Sequence, residues 1–230
     1  MITLTHSALN TRVLLSEDNP TIVTIESQEV FSLLISQMFA QINNEPGDFN
    51  ISRDYKPITI SKEVDLVHSP FLLDFGQRKI LLRICSDFDK LSMSSEHYEA
   101  TAQMQQAVQL FLERMSSFYP APLVWDIELT AGNLAKAVNI RVDVEELSMV
   151  ERLLTYMEIM TTLKIVSIFV YVNLSTYFTS EQLKSLFYEV RLKKYCMLLF
   201  ENRSMTRITD FERHLTVDAD MCEIINDFSA

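Results

Sequence analysis

A strand–helix–strand pattern in the last third of the chain constrains the fold more than any other feature of the sequence. Residues 165–172 are apolar apart from Ser167, which is typical of a strand buried on both faces. Thr179, followed by Glu181 and Gln182, favours a helix start, and helical character continues to about residue 194. Residues 195–200 are again continuously apolar. Two buried strands joined by a helical crossover predict parallel pairing, and therefore an α/β fold.

The residue patterns near both ends of the chain predict further strands and a helix in the same domain. Alternating or β-branched apolar residues indicate strands, and apolar residues at spacings of three and four indicate a helix. The predicted segments are strands at 2–9, 12–15 and 21–25, a helix at 30–42, and a more polar strand at 215–225.

The middle of the chain has mainly helical spacing instead. We therefore expect an α/β head domain with a parallel or mixed sheet, formed by residues 1–64 and 161–230. A helical leg domain is expected to be inserted between them at residues 65–160.

Glycine is scarce, and this excludes several classes of nucleotide-binding enzyme. The chain has three glycines, Gly47, Gly76 and Gly132, where average usage of about 7% would give roughly sixteen. A G-x-x-x-x-G-K-[ST] phosphate loop, a G-x-G-x-x-G dinucleotide loop and a G-x-S-x-G nucleophile elbow all need glycines at spacings that these three do not have.

Cysteine usage and the N-terminal pattern indicate a cytoplasmic protein. The three cysteines lie far apart and are odd in number, which disfavours a disulfide framework or a zinc site. Residues 1–15 alternate rather than forming the apolar core of a signal peptide, and the apolar stretch 165–172 is too short to span a bilayer.

Acidic residues in the second half of the predicted leg are candidates for a metal site. Asp126 and Glu128 lie two apart in an extended segment, so their carboxylates share one face, and Asp143 and Glu146 follow. Hard cations such as calcium bind carboxylate and carbonyl oxygens. A solvated acidic face explains the same pattern, and the residues alone leave both interpretations open.

Basic residues are few and occur in scattered pairs. Arg53 with Lys56, and Lys136 with Arg141, are two such pairs, and no basic run of five or more occurs. The formal net charge of −11 argues against nucleic acid, because nucleic-acid binding depends largely on neutralising phosphates. Taken alone, each pair is typical of a solvated surface.

Several short segments, in order along the chain, nevertheless resemble a known family. They are Thr21-Ile22-Val23-Thr24-Ile25-Glu26 with Val30-Phe31-Ser32, Leu66-Val67 with Asp74, Lys79-Ile80-Leu81-Leu82, Ser86-Asp87-Phe88, Leu134-Ala135-Lys136-Ala137-Val138 with Ile140-Arg141-Val142, Phe178-Thr179-Ser180-Glu181-Gln182-Leu183, Leu198-Leu199-Phe200-Glu201, and Asp220-Met221-Cys222-Glu223-Ile224-Ile225. Their joint order and spacing resemble the type II-A CRISPR-associated spacer-acquisition protein family.

The resemblance implies a specific function. Such proteins have a head related to P-loop ATPases without a working phosphate loop, and a helical leg. The resemblance implies a non-enzymatic homotetrameric ring, stabilised by calcium, that binds double-stranded DNA at free ends without sequence preference. The implied partners are the CRISPR integrase and the RNA-guided effector nuclease of the same system.

The resemblance also assigns roles to individual residues. Lys136 and Arg141 match basic positions of the family, and Glu128 matches an acidic position linked to calcium. The candidate DNA contacts are therefore Lys136, Arg141, Lys56 and Arg53, and the candidate calcium ligands are Glu128, Asp126, Asp143 and Glu146.

Two other functions remain open from the sequence. A protein-interaction scaffold without direct DNA binding would also suit the acidic composition. A divergent nucleotide-dependent enzyme would require a phosphate site built without glycine loops. An acidic DNA-binding subunit, in contrast, must place its few cations on the contact surface and its acids elsewhere.

Overall fold

The structure, a computed structural model, describes residues 1–125 and 129–226. The chain divides into two compact units. Residues 1–74 and 144–230 form the first, which we call the head, and residues 75–143 form the second, which we call the leg. The boundaries predicted from the sequence are 64/65 and 160/161 instead.

Ten strands lie within the described residues, all of them in the head. They are β1 (Ile2–Thr5), β2 (Val13–Leu15), β3 (Thr21–Ile25), β4 (Asn50–Arg53), β5 (Lys56–Pro57), β6 (Val64–Val67), β7 (Ile168–Val172), β8 (Cys196–Glu201), β9 (Arg213–Val217) and β10 (Glu223–Asn226).

Seven α-helices accompany them in the described part of the chain. They are α1 (Gln28–Ile42), α2 (Ile60–Glu63), α3 (Arg78–Ser92), α4 (Tyr98–Ser116), α5 (Ala131–Ala137), α6 (Met149–Thr162) and α7 (Ser180–Leu192). Short 3-10 turns follow β6 at Pro70–Leu72 and β7 at Leu174–Thr176.

The head is built around a six-stranded sheet with the order β10-β9-β3-β8-β7-β6. The neighbours β9–β3, β3–β8, β8–β7 and β7–β6 are parallel, and only β10 runs antiparallel to its neighbour. The predicted α/β class with a parallel or mixed sheet is therefore confirmed. A second, antiparallel sheet has the order β2-β1-β4-β5.

The two faces of the six-stranded sheet are covered by different elements. One face packs with the small sheet and α1 around Leu4, Val23, Leu34 and Phe200, all fully buried. The alternate residues of β7 and β8 point to the opposite face, as the pleat requires. On α6 and α7, the buried apolar residues are Leu153, Tyr156, Met157, Met160, Leu183, Leu186, Phe187 and Val190.

Two predictions from the sequence differ from this architecture. The predicted single strand at 215–225 is two antiparallel strands, β9 and β10, because the chain turns between them with Met221 at φ 64°. β6 and α6 fall within the range predicted for the leg, but β6 is a sheet edge and α6 buries its apolar stripe in the head. Helical spacing identifies α6 as a helix without showing which unit covers it.

The leg consists of α3, α4 and α5. Helices α3 and α5 pack closely at Gly132, whose backbone N–H donates to Asp89 Oδ1 at 2.6 Å. A Cβ added at Gly132 would lie 2.5 Å from the carbonyl oxygen of Cys85, so this approach requires glycine. In contrast, α4 has no buried residue along its 19 positions.

Candidate functional site

The junction between β3 and α1 joins a central strand of the sheet to a helix, which is the type of connection that carries a phosphate loop in P-loop proteins. Two residues, Glu26 and Ser27, connect the strand to the helix. The Glu26 N–H donates to the Val217 carbonyl at 3.0 Å, and Ser27 Oγ caps the helix by accepting from the Val30 N–H. A phosphate-binding loop instead turns several backbone N–H groups toward the ligand. Glu26 and Glu29 also add negative charge here, so this junction is unsuited to phosphate.

A buried carboxylate occupies the carboxyl edge of the sheet, where open α/β folds usually bind ligands. Glu201, at the end of β8, is 1% exposed. It accepts hydrogen bonds from the Ser175 N–H at 3.0 Å and the Ser175 hydroxyl at 2.5 Å. Burial raises the pKa of Glu201, although these hydrogen bonds act in the opposite direction. The sequence analysis did not identify this cluster, because Ser175 and Glu201 are far apart in sequence.

A second buried carboxylate binds one of the histidines. Glu212 accepts from the Ile208 N–H at 2.5 Å and from the Thr209 hydroxyl at 3.0 Å, and it is 3.0 Å from His214 Nε2. Burial works against its charged form, but the bonds from His214 and the loop lower the pKa of Glu212 below its ordinary value. His214 is thus held in a structural contact.

The predicted contacts Arg53 and Lys56 face each other across a β-hairpin in the head. They are the paired residues of β4 and β5 on either side of the turn. Arg53 is engaged within the fold, since it lies 2.9 Å from Glu63 and donates to Ser167 Oγ at 2.7 Å. Lys56 is exposed and has no ion-pair partner within the described residues. Of this pair, Lys56 is therefore the cation available to a ligand.

The predicted contacts Lys136 and Arg141 both lie in the leg. Lys136 is in the last turn of α5, where it meets the Asn133 side chain at 3.4 Å. Arg141 follows after the helix has ended, past Asn139 at φ 53°. Both side chains are exposed, and neither has an ion-pair partner within the part of the chain that the structure describes. The two cations are thus free to contact phosphate.

The predicted calcium ligands are only partly covered by the structure. Asp126 and Glu128 lie outside the described residues. Asp143 and Glu146 are exposed. Within residues 1–125 and 129–226, no group of three or more His, Cys, Asp or Glu side chains is placed to hold a metal ion. Asp143 and Glu146 alone therefore do not form a calcium site.

Charge is distributed unevenly between the two units. Residues 75–143 contain seven Lys and Arg against eight Asp and Glu, so the leg is close to neutral. The head contains thirteen Lys and Arg against twenty-three Asp and Glu. Nearly all of the net charge of −11 thus belongs to the head, and the electrostatic objection to nucleic acid does not apply to the leg.

The C-terminal half of α4 and the turn after it expose large apolar side chains. Leu110, Phe111 and Phe118 are 56%, 60% and 79% exposed. Leu110, Phe111 and Met115 lie within five residues of one another on α4, and Phe118 lies in the turn just after the helix ends, so together they form a broad apolar face. Apolar surface of this extent on one helix is typical of an association surface.

Comparison with known proteins gives a family and a fold. Residues 41–221 match the sequence profile of the family described as CRISPR-associated protein (Cas_Csn2). Comparison with curated proteins finds no match. No helix among the described residues is both long and apolar enough to cross a membrane.

Comparison with solved structures gives matches at low sequence identity. The crystal structure of Stu0660 of Streptococcus thermophilus is similar over 99% of this chain and 76% of that chain, with 12% identity and a TM-score of 0.55. The ATP-binding cassette MJ0796 dimer bound to ADP and Pi matches with 10% identity over 100% of both chains and a TM-score of 0.48. A bacterial Atm1-family ABC exporter with ATP bound matches 94% of this chain and 36% of its own, with 12% identity and a TM-score of 0.44. The first of these likenesses supports the fold alone.

Proposed function

Because this chain belongs to the Cas_Csn2 family of type II-A CRISPR spacer-acquisition proteins, we propose that it binds the ends of double-stranded DNA without sequence preference, as a homotetrameric ring. In this function it assists spacer acquisition and carries out no chemical step itself. The observation that carries the proposal is the family match, which runs from α1 in the head, through the whole leg, to the turn before β10.

The leg offers the more favourable surface for DNA. Lys136 and Arg141 are exposed and without ion-pair partners in the described residues, and the unit that carries them is nearly neutral. A ring repeats each cation in every copy, so two residues of one chain give several phosphate contacts in the assembly. Phosphate contacts give affinity without sequence information. Lys56 on the head hairpin would add to this set.

The apolar face of α4 supports self-association. A single copy leaves Phe111 and Phe118 largely in water, and burial of such side chains stabilises association by roughly 25 cal/mol for each Å² of apolar surface removed from water. We therefore propose that the α4 faces of different copies meet in the ring.

The head supports a role without nucleotide chemistry. Its β3–α1 junction has no phosphate loop, and the carboxylate at its sheet edge is already bound by Ser175. We propose that the head holds the leg and the ring in place rather than hydrolysing a nucleotide.

We extend the proposal to calcium, the protein partners and the location. We propose that calcium stabilises the ring through Asp126 and Glu128, with Asp143 and Glu146 as further ligands. When bound, the ion would offset the repulsion between these carboxylates. The CRISPR integrase and the RNA-guided effector nuclease are the proposed partners, in the cytoplasm where the CRISPR locus is accessible.

Native mass measurement with linear duplex tests the proposal directly. We expect a tetramer that binds linear double-stranded DNA, and no retention of a closed circle that cannot thread a ring. A persistent monomer, or a tetramer that ignores DNA, would instead support the protein-interaction scaffold that the acidic head also suits. Repeating the measurement with a chelator tests the calcium proposal separately, because loss of tetramer is then expected.

Charge reversal tests the contact residues. Lys136→Glu with Arg141→Glu should weaken binding about tenfold or more in moderate salt and reduce the salt dependence, because each lost phosphate contact lowers the slope of log K against log salt by about 0.9. Lys62→Glu with Lys184→Glu is the matched control, since it makes the same charge change at exposed head lysines. Equal losses in both double variants would show that net charge, rather than the leg site, governs binding.

A further inference from the structure

The turn between β4 and β5 holds a tyrosine in a backbone conformation that tyrosine rarely adopts. Asp54 and Tyr55 form the whole turn, with φ values of 49° and 65°. Two-residue hairpin turns with both φ values positive favour glycine at the second position, because glycine has no Cβ. A bulky aromatic residue there is an outlier.

Nothing in the fold compensates for this conformation. The Tyr55 side chain is 89% exposed, the most exposed aromatic ring among the described residues. The turn is nevertheless held firmly, because the Asp54 N–H donates to the Met1 carbonyl at 3.0 Å and Arg53 binds Glu63 and Ser167 below it. A strained residue that packs against nothing, on a fixed support, is typical of a binding position.

The surroundings of Tyr55 indicate the chemistry of its ligand. The Asp54 carboxylate is 2.8 Å from the amino group of Met1, and Arg53 is paired with Glu63 at 2.9 Å. Lys56 is the exposed cation of the hairpin without an ion-pair partner in the described residues. The hairpin tip thus presents a flat aromatic ring beside an available ammonium group, which suits a flat base next to a phosphate.

Duplex DNA exposes the flat face of a base pair only at its ends, because interior base pairs stack on each other. We infer that Tyr55 stacks on the terminal base pair of linear double-stranded DNA, with Lys56 contacting the phosphates beside it. The inference rests on the proposed DNA-binding function and gives it a residue that distinguishes an end from the middle of a duplex.

The experiment uses short blunt duplexes with 2-aminopurine placed either at the terminal pair or in the middle. Wild-type protein is expected to quench the terminal probe and to leave the internal probe unchanged. Tyr55→Ala should abolish the terminal quenching and weaken binding about tenfold, the size expected for loss of one base–aromatic stack. Tyr55→Phe keeps the ring and should behave as the wild type. Lys56→Ala should bind more weakly but still quench the terminal probe at saturation.

A stability measurement separates stacking from folding. Tyr55→Gly removes the ring and relieves the backbone, so its melting temperature should equal or exceed that of the wild type while terminal quenching is lost. If Tyr55→Ala binds linear duplex and quenches the terminal probe as the wild type does, the stacking role is wrong and the proposed function stands. If the wild-type protein binds no linear duplex, the proposed function and the stacking role are both wrong.

Discussion

The head and the leg differ in how completely each covers its own apolar surface. In the head, large side chains such as Phe169 and Phe200 are fully buried between sheets and helices. In the leg, α4 buries none of its residues, and Phe111 and Phe118 remain in water. The head also carries nearly all of the net negative charge. The head thus encloses a large apolar core within its own residues, whereas α4 of the leg leaves its large apolar side chains in water.

The largest expected effect is on the free energy of unfolding, and it should differ between a buried phenylalanine of the head and an exposed phenylalanine of the leg. Phe169→Ala in the head should lower the free energy of unfolding by about 3–5 kcal/mol, because it leaves a cavity in a packed core. Phe111→Ala in the leg should change it by less than about 0.5 kcal/mol in dilute protein, because its ring is already in water.

Urea unfolding followed by circular dichroism measures both changes. Trp125 is the single tryptophan and lies in the leg, so its fluorescence reports on that unit. At high protein concentration, Phe111→Ala should reduce the tetramer fraction. Comparable destabilisation by the two variants in dilute protein would contradict the contrast between the units.

The second-largest effect is expected at Gly132, a tightly packed position of the leg. Gly132→Ala should destabilise the leg by about 1–3 kcal/mol, because the new Cβ would lie 2.5 Å from the Cys85 carbonyl and 2.7 Å from the Asp89 carboxylate. Trp125 fluorescence during urea unfolding is the measurement. Ala135→Gly on the same helix is the control, since it lowers helix propensity without a clash.

A smaller effect concerns the buried carboxylate of the head. The folded-state pKa of Glu201 is raised by burial, so ionisation opposes folding. The free-energy cost of burying the ionised carboxylate is absent at acidic pH, where the carboxyl is protonated in both the folded and the unfolded state. This cost grows as pH rises through the folded-state pKa. Glu201→Gln should therefore raise the free energy of unfolding at pH 7 and flatten its decline as pH rises above the ordinary carboxyl pKa.

The control for this prediction removes the hydrogen-bond donor instead. Ser175→Ala leaves the carboxylate buried with fewer partners, so it should destabilise at pH 7 and steepen the decline. A Glu201→Gln variant that is less stable than the wild type at pH 7 would mean that the ionised form is the one the fold favours.

The smallest effect concerns a hydroxyl at the centre of the head. Tyr171 is fully buried on β7, and its hydroxyl has no hydrogen-bond partner within the described residues. Tyr171→Phe should leave the free energy of unfolding unchanged or raise it by about 0.5 kcal/mol, because an unsatisfied buried hydroxyl is destabilising. Tyr156→Phe is the contrasting variant. It should destabilise the protein, because the Tyr156 hydroxyl donates to Asp65 at 2.8 Å.

Most of the head could be predicted from local pattern, because its strands and helices carry strong signals. The β-branched run of β3, the apolar run of β8 and the Thr179 cap of α7 each identify an element without its neighbours. The assignment of α6 could not be predicted, because an amphipathic stripe does not show which unit covers it. The turn between β9 and β10 was missed, since Met221 supplies the left-handed residue that glycine or asparagine usually signals.

Less of the candidate site than of the fold could be predicted from the sequence. Lys136 and Arg141 were identified by resemblance, and the structure adds that both are exposed on a nearly neutral unit. Tyr55 gave no signal, because an Asp-Tyr pair does not resemble the Asn-Gly that marks a type I′ turn. The Ser175–Glu201 contact joins residues of different elements, so no local spacing encodes it.

The position of β3 has a consequence for how the protein is synthesised. β3 is complete after 25 residues, but both strands that flank it, β8 and β9, lie beyond residue 195. The leg is encoded between them as one continuous segment, residues 75–143, so it can fold on the ribosome first. The nascent chain must therefore keep an apolar strand unpaired until nearly the whole polypeptide has emerged. A chain that ends before β8 would expose both edges of β3, and such strands promote aggregation.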